Sequence, residues 1–447
     1  MSKIRVNFAE ICGKVKVMNA LNNGPAGSRV RSISNFESYS EAEIPYARLH
    51  DSAFYSGYGG EWSVDVHRIF RNFEADECDP ENYVFTPTDA YLKNIVDSGT
   101  KVYYRLGAAI EHGYKYGTVP PKDYLKWARI CEHIIRHYTE GWADGFYMDI
   151  EYWEIWNEAD CHNGDGSTPC WQGTEEEFSE FFVTVYKYLK ERFPMLKIGG
   201  PAIASVWGAT FPDIFFSALK NAGITPDFIS YHRYGKTPED FVATVRRANS
   251  HLEKYGYLDV ETHLNEWNYV RGWQAENFIH TIESIKGLKG ASFTTAVMCA
   301  LHPEKVDMLM YYEGRPSAFC GLWTTDTLKP LKGYYPFLAF SKLRRLGTAV
   351  KTEDGENLYS LAATDGTDGA VLLTYFDEQD GAEKKDLTLE ISNFNLSENK
   401  RLRVKYLLLD GMHDLECVRE EMFTVGDIVC HLDMPPYTTY LIKLETE

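Results

Sequence analysis

From about residue 14 to residue 345 the chain alternates short apolar runs with longer segments whose apolar positions recur every three to four residues. The short runs are Val15–Met18, Tyr46–His50, Val102–Leu106, Tyr152–Trp156, Leu196–Gly199, Asp227–Tyr231, Thr262–Asn265 and Val306–Tyr311. Their length and their β-branched and aromatic content predict strands. Between them, Thr86–Val96 places Leu92, Ile95 and Val96 on one helical face. Pro120–His137, Pro212–Ala222, Pro238–Lys254, Glu276–Leu301 and Leu331–Leu343 read as further helices. Thr174-Glu-Glu-Glu177 is a capping box opening a helix through Leu189. Eight strand–helix units predict an α/β fold, a closed parallel (β/α)8 barrel over residues 14–345.

After about residue 348 the period changes from helical to two. Leu358–Ala363, Ala370–Tyr375, Leu387–Ile391, Leu402–Tyr406 and Thr438–Ile442 alternate, with turn residues such as Asp365-Gly366 between them. This pattern predicts an antiparallel β-sandwich over residues 346–447. The strand Lys3–Phe8, within residues 1–13, is expected to join that sheet.

The formal net charge of -19 argues against nucleic-acid or anionic-membrane partners, which call for a basic footprint. Met1–Val6 carries no apolar leader and no stretch reaches the length of a membrane span. The nine cysteines form no C-x-x-C pair, so reduced thiols and a cytoplasmic protein are expected. Cys161 and Cys170 lie close in sequence and a disulfide between them is the lesser alternative. No His-x-His cluster stands at a strand end and no glycine-rich phosphate loop is present, so neither a metal nor another cofactor is expected. The composition leaves a homo-oligomer open.

In such a barrel, chemistry gathers at the C-terminal ends of the strands. Two predicted strands end there in Asn-Glu: Trp153-Glu-Ile-Trp-Asn-Glu158 and Thr262-His-Leu-Asn-Glu266. A single glutamate at a strand end is most simply a salt-bridged structural residue. Two of them, on strands four and seven, point to glycoside hydrolysis, which needs two carboxylates across one pocket.

These residues resemble the large retaining (β/α)8 glycosidase clan and, within it, glycoside hydrolase family 39, with its β-xylosidases and α-L-iduronidases. The segments that carry the likeness are Tyr46-Ala-Arg-Leu-His50-Asp, Trp156-Asn-Glu158, Gly199-Gly-Pro, Ile229-Ser-Tyr-His232-Arg-Tyr234, Asn265-Glu266 and Gly321-Leu-Trp with Lys329-Pro. The resemblance implies Glu158 as general acid/base and Glu266 as nucleophile. It implies Asn157 as partner of the sugar 2-hydroxyl, and Tyr234 or His232 as the group that orients Glu266. Arg48 and His50 would line the pocket or touch the sugar, and Trp267, Tyr312 and Glu313 complete the expected substrate-binding set. Arg48 could instead neutralise a buried carboxylate, and His232 could be a core histidine.

The resemblance further implies a retaining exo-glycosidase acting on a β-xyloside or similar glycoside. Arabinosidase, galactosidase, glucosidase and iduronidase activities, or non-catalytic carbohydrate binding, are the alternatives. Three departures bear on the sugar. Ala159-Asp160 follows Glu158 where the xylosidases carry Pro-Asn. Tyr234 stands where the iduronidases carry Lys. Tyr311-Tyr-Glu313 replaces a Trp-rich segment. The loop Cys161–Thr174 with Trp171, together with His112 and Trp207, is a candidate wall for the leaving-group side.

Overall fold

The computed structural model describes residues 2–30, 33–50, 64–108, 116–164, 166–397 and 399–447; His112 lies outside them. A long first strand, β1 (Ser2–Lys14), precedes eight parallel strands that close into a barrel. These are β2 (Val17–Asn22), β3 (Tyr46–Arg48), β4 (Lys101–Leu106), β5 (Tyr152–Ile155), β6 (Lys197–Ile203), β7 (Phe228–Gly235), β8 (Glu261–Tyr269) and β9 (Met308–Tyr311). The expected (β/α)8 barrel is therefore the fold. Its helices are α1 (Phe36–Glu41), α2 (Val66–Ile69), α3 (Thr86–Asp97), α4 (Tyr124–Thr139), α5 (Glu175–Arg192), α6 (Phe211–Ala222), α7 (Pro238–Tyr255), α8 (Ala275–Lys286), α9 (Leu288–Leu301) and α10 (Tyr335–Leu346).

Local chemistry explains most of these boundaries. Thr174 caps α5 and Thr237 caps α7, each in a reciprocal box with the residue three positions on. Gly223 and Gly256 end α6 and α7 in the left-handed conformation. The single helix expected over Glu276–Leu301 is two, because Gly287 adopts an extended conformation between α8 and α9. Four strands reach past their expected ends, β2 to Asn22, β6 to Ile203, β7 to Gly235 and β8 to Tyr269. A polar residue or glycine follows each expected end (Asn19, Gly200, His232 and Glu266), so hydrophobicity alone stops short.

The interior of the barrel is filled at its lower end by Ala20, Tyr103, Tyr152, Phe228, Met308 and Met310. The buried His263 belongs to this layer. Its Nδ1 lies 3.1 Å from the Tyr103 hydroxyl and its Nε2 lies 3.4 Å from Glu261. A larger apolar layer separates the strands from the surrounding helices.

The second domain is one nine-stranded, mostly antiparallel sheet, ordered β15-β14-β17-β12-β11-β10-β1-β13-β16. Its remaining strands are β10 (Thr348–Glu353), β11 (Leu358–Thr364), β12 (Gly369–Tyr375), β13 (Lys385–Ser392), β14 (Leu402–Leu409), β15 (Asp414–Phe423), β16 (Ile428–Met434) and β17 (Thr439–Thr446). β1 lies between β10, antiparallel, and β13, parallel. The sheet folds over its own apolar core until its two ends meet: the Tyr406 hydroxyl donates to Cys430 Sγ at 3.0 Å, and Arg419 to the His431 carbonyl at 3.3 Å. β15, with its run of charged side chains, has no apolar period to betray it. Among the described residues no helix is long and apolar enough to cross a membrane.

Candidate active site

The upper end of the barrel holds a polar cluster built by strand periodicity. Successive inward positions of β7 are Ser230, His232 and Tyr234, two residues apart. Ser230 Oγ donates to Glu154 Oε1 at 2.6 Å, His232 Nδ1 lies 2.7 Å from Glu158 Oε1, and the Tyr234 hydroxyl donates to Glu266 Oε1 at 2.6 Å. One strand thus touches three carboxylates in ascending order.

Glu158 lies beyond β5, and the chain turns sharply to present it. Trp156 and Glu158 both have positive φ, +72° and +50°. Trp156 sends its ring outward against Trp127, Trp171 and Phe181. The Glu158 amide donates to the Ala202 carbonyl of β6 at 2.9 Å. β6 approaches β5 closely here because Gly200 has no side chain: a Cβ there would sit 2.7 Å from the Ile155 carbonyl oxygen. Asp160 accepts from the amides of Ala204 and Ser205 at 2.8 and 3.0 Å, tying the segment after Glu158 to the end of β6.

Glu266 is placed by a bulge. The register between β7 and β8 pairs Tyr231 with Leu264 but His232 with Glu266, skipping Asn265. Both Asn265 and Glu266 consequently face the interior. Asn265 Nδ2 donates to Glu154, and Glu266 meets Arg48, His50 and Tyr234. Alternation then sends Trp267 outward. It is fully buried between Phe241 of α7, Phe293 of α9 and Tyr311. The expectation that Trp267 contacts substrate is corrected: the bulge shifts the parity of the strand, and Trp267 is packed behind the sheet.

Arg48 joins the cluster. Its guanidinium is completely buried and donates to Glu154 Oε2 (2.7 Å), Asn22 Oδ1 (3.0 Å), Glu266 Oε2 (3.2 Å) and Asn157 Oδ1 (2.7 Å). Arg48 thus neutralises the buried carboxylate of Glu154, the alternative the sequence left open, and also touches Glu266. His50 Nε2 lies 3.0 Å from Glu266 Oε2. Burial alone would raise the Glu266 carboxyl, but His232, His50 and Arg48 outweigh it and hold the group well below the usual carboxylate range. Burial and the neighbouring Glu266 charge push the Tyr234 hydroxyl well above its ordinary value, so it stays a donor.

An oxygen of Glu158, a ring nitrogen of His232 and an oxygen of Glu266 lie within 4.8 Å of one another. A second such group joins Glu158 to Cys161 and Cys170. These are the two groups of potential metal-ligand side chains among the described residues.

Other expected residues fall around the rim. The Tyr312 ring meets His50 edge-on at 5.2 Å between centroids. Glu313 is buried and accepts from Asn23 Nδ2 (2.8 Å), Ser317 Oγ (2.9 Å) and Arg315 Nη2 (3.2 Å). Trp171 is buried and donates to the Thr174 carbonyl, making it part of the packing beneath Trp156 rather than a wall. Trp207 lies across α7, with Arg247 over its ring and its Nε1 directed at Thr244. The sequence reading missed Glu154, Asn22 and Trp273. Glu154 was legible, two residues below Trp156 on an apolar strand where a charge needs a reason. Trp273 is 62% exposed and meets Tyr234 edge-on at 5.4 Å, offering an apolar platform at the mouth.

Residues 39–258 match the model of glycosyl hydrolases family 39. A β-xylosidase of Geobacillus stearothermophilus is 24% identical over 45% of this chain, and the match spans 44% of that protein's own length. The structure of a glucosidase from Croceicoccus marinus superposes with a TM-score of 0.81 at 19% identity, covering 100% of this chain and 99% of that one. The GH39 enzyme from Xanthomonas axonopodis pv. citri gives 0.72 at 16% identity, covering 99% and 97%. The family model over residues 39–258 and the relative agree, and together they support glycoside hydrolase family 39 for this chain.

Proposed function

We propose that the protein is a retaining exo-glycosidase that hydrolyses a β-xyloside or a similar β-glycoside by double displacement. The observation that carries the reading is the approach of Glu158 and Glu266 carboxylate oxygens to within 4.8 Å. That spacing belongs with the about 5–5.5 Å between carboxyl groups of retaining enzymes, not the about 6.5–9.5 Å that admits a water.

Glu266, held ionised, attacks the anomeric carbon while Glu158 gives its proton to the departing oxygen. A glycosyl ester on Glu266 results. Glu158 then removes a proton from water, the water oxygen bonds to the anomeric carbon, and Glu266 departs as carboxylate. Arg48 and the Tyr234 hydroxyl fix the two Glu266 oxygens. Asn157 Nδ2 is buried and has no hydrogen-bond partner among the described residues. A sugar hydroxyl would satisfy it, which favours Asn157 as a substrate contact.

A panel of aryl β-xylosides, β-glucosides, arabinosides, galactosides and uronides tests the reading. The β-xyloside is expected to be turned over best. The likeness to a glucosidase makes β-glucosides the second class. NMR of the first-formed sugar should show the β-anomer; an α-product would exclude retention. If no glycoside is cleaved, the catalytic reading fails.

The environment of Glu266 sets the acid side of the pH profile. Its carboxyl is depressed in the folded protein, so the ionised form persists as pH falls through the ordinary glutamate value of about 4.3. The acidic limb of kcat/KM is expected below that value. By linkage, the stability that the Glu266 contacts contribute is present above the ordinary value and is lost only as pH falls through the depressed one. A limb at or above about 4.3 in an enzyme that remains folded would show that the cationic surround does not act on the reacting carboxylate.

A further inference from the structure

We propose that Glu158, Cys161 and Cys170 form a binding site for a soft divalent cation of the zinc class, and that occupying it takes the acid/base out of use. The juxtaposition is one carboxylate oxygen and two thiol sulfurs, all within 4.8 Å of one another, beside the reacting centre.

The backbone fixes this arrangement. Residues 158–161 form a turn in which the Cys161 amide donates to the Glu158 carbonyl at 3.0 Å, bringing the Cys161 side chain back beside Glu158. Cys170 is held independently, since its carbonyl accepts from Trp156 Nε1 at 2.9 Å, and Trp156 is anchored in the aromatic layer behind the barrel. Cys170 and Glu158 are buried, whereas Cys161 is half-buried at the start of a largely exposed loop. A cation can therefore arrive from the loop side while two of its three ligands are already oriented.

Two thiolates and a carboxylate are a ligand set for zinc or cadmium rather than for calcium or magnesium, which take oxygen ligands. Bonds of about 2.3 Å to sulfur and about 2.0 Å to oxygen place tetrahedral ligands roughly 3.5–4 Å apart, so the side chains close by up to about 1 Å. The two thiols lose their protons to solvent as the cation binds. The fourth position stays open to water. Once Glu158 donates its oxygen to the cation, it no longer exchanges a proton with a leaving group or a water.

The cation site rests on geometry alone, whereas its inhibitory effect rests on the reading of Glu158 as acid/base. The full-length protein, kept reduced with a phosphine, is titrated with cadmium while the thiolate-to-metal absorption is followed. Zinc inhibition of aryl-glycoside hydrolysis and its reversal by EDTA are measured in parallel. The cadmium band and zinc inhibition are both expected, and C161S should lose the band. The half-inhibitory zinc concentration for C161S should rise at least about 10-fold, the loss that even outer-shell changes produce at metal sites. Hydrolysis by C161S without metal should match the wild-type protein, and C170A serves as the second ligand variant. If zinc inhibits wild type, C161S and C170A equally, the cation acts at Glu158, His232 and Glu266, and the proposed site is wrong. If the cadmium band is present and sensitive to C161S but hydrolysis is unaffected, the cation site stands and Glu158 is not the acid/base.

Discussion

Glu266→Ala is expected to lower kcat by at least about 10^4-fold on every substrate, because removing a nucleophile costs far more than removing an assisting group. No covalent glycosyl intermediate can form in this variant. Azide, small enough to enter the vacated space, should restore part of the turnover and give a glycosyl azide of inverted configuration. Glu158→Ala should behave differently. A substrate whose leaving group departs without a proton should form the intermediate at a nearly undiminished rate. One with a poor leaving group should lose about 10^2–10^4-fold, the usual contribution of general acid catalysis. Azide should then give a product of retained configuration. Comparing the two variants on activated and unactivated aryl glycosides decides the roles. Equal losses on both substrates, with no difference in the azide products, would overturn the assignment.

The pair of glutamates was reachable from the sequence because it depends on period and position, whereas the separate roles proposed for its two members come from the family resemblance. An apolar run ending in Asn-Glu is visible without coordinates, and two such endings, four and seven strands into the barrel, suggest a pair. His232 and Tyr234 were named through the resemblance as partners of Glu266; Tyr234 meets it at 2.6 Å, whereas His232, two residues away on the same face, lies nearest Glu158. Trp267 shows where that logic fails. Strict alternation cannot place Glu266 inward beside an inward Asn265. The bulge that permits it is a feature of how β8 pairs with β7 and β9, not of the composition of β8. Trp171 fails for another reason: a tryptophan in a glycine-rich loop looks like a platform, yet here it fills space beneath Trp156.

Distances across the barrel were beyond the sequence altogether. Cys161 and Cys170 are nine positions apart, and their sequence relation shows the opportunity for a disulfide but not the nearness of Glu158. Among the strands of the second domain, β11, β12, β13, β14 and β17 declared themselves by alternation. β10, β15 and β16 went unread: solvent faces and short apolar content break the pattern in β10 and β15, whereas β16 does alternate, with Ile428, Cys430, Leu432 and Met434 inward.

Arg48→Met should be the most damaging change to the site that leaves both glutamates in place. The guanidinium is the common partner of Glu154, Glu266, Asn157 and Asn22. Methionine fills much of its volume but supplies no charge and no donor. Glu154 keeps Ser230 and Asn265, and Glu266 keeps Tyr234 and His50, so neither is stripped bare. Breaking a buried ion pair by removing one member nevertheless costs about 3–5 kcal/mol, because a buried charge is left uncompensated. The midpoint of urea unfolding at neutral pH should fall accordingly. Activity should fall by about 10^2-fold or more, since both Asn157 and the nucleophile lose the group that positions them. The pH profile separates this effect from simple loosening. Arg48 is one of the cations that depress Glu266, so its removal should move the acidic limb of kcat/KM upward toward the ordinary glutamate range. Arg48→Lys restores a charge but not the planar fork, and cannot reach all four acceptors at once. It should recover part of the limb position while recovering little of kcat. If Arg48→Met unfolds at the wild-type midpoint and keeps the wild-type acidic limb, Arg48 is not what holds the nucleophile ionised and in place.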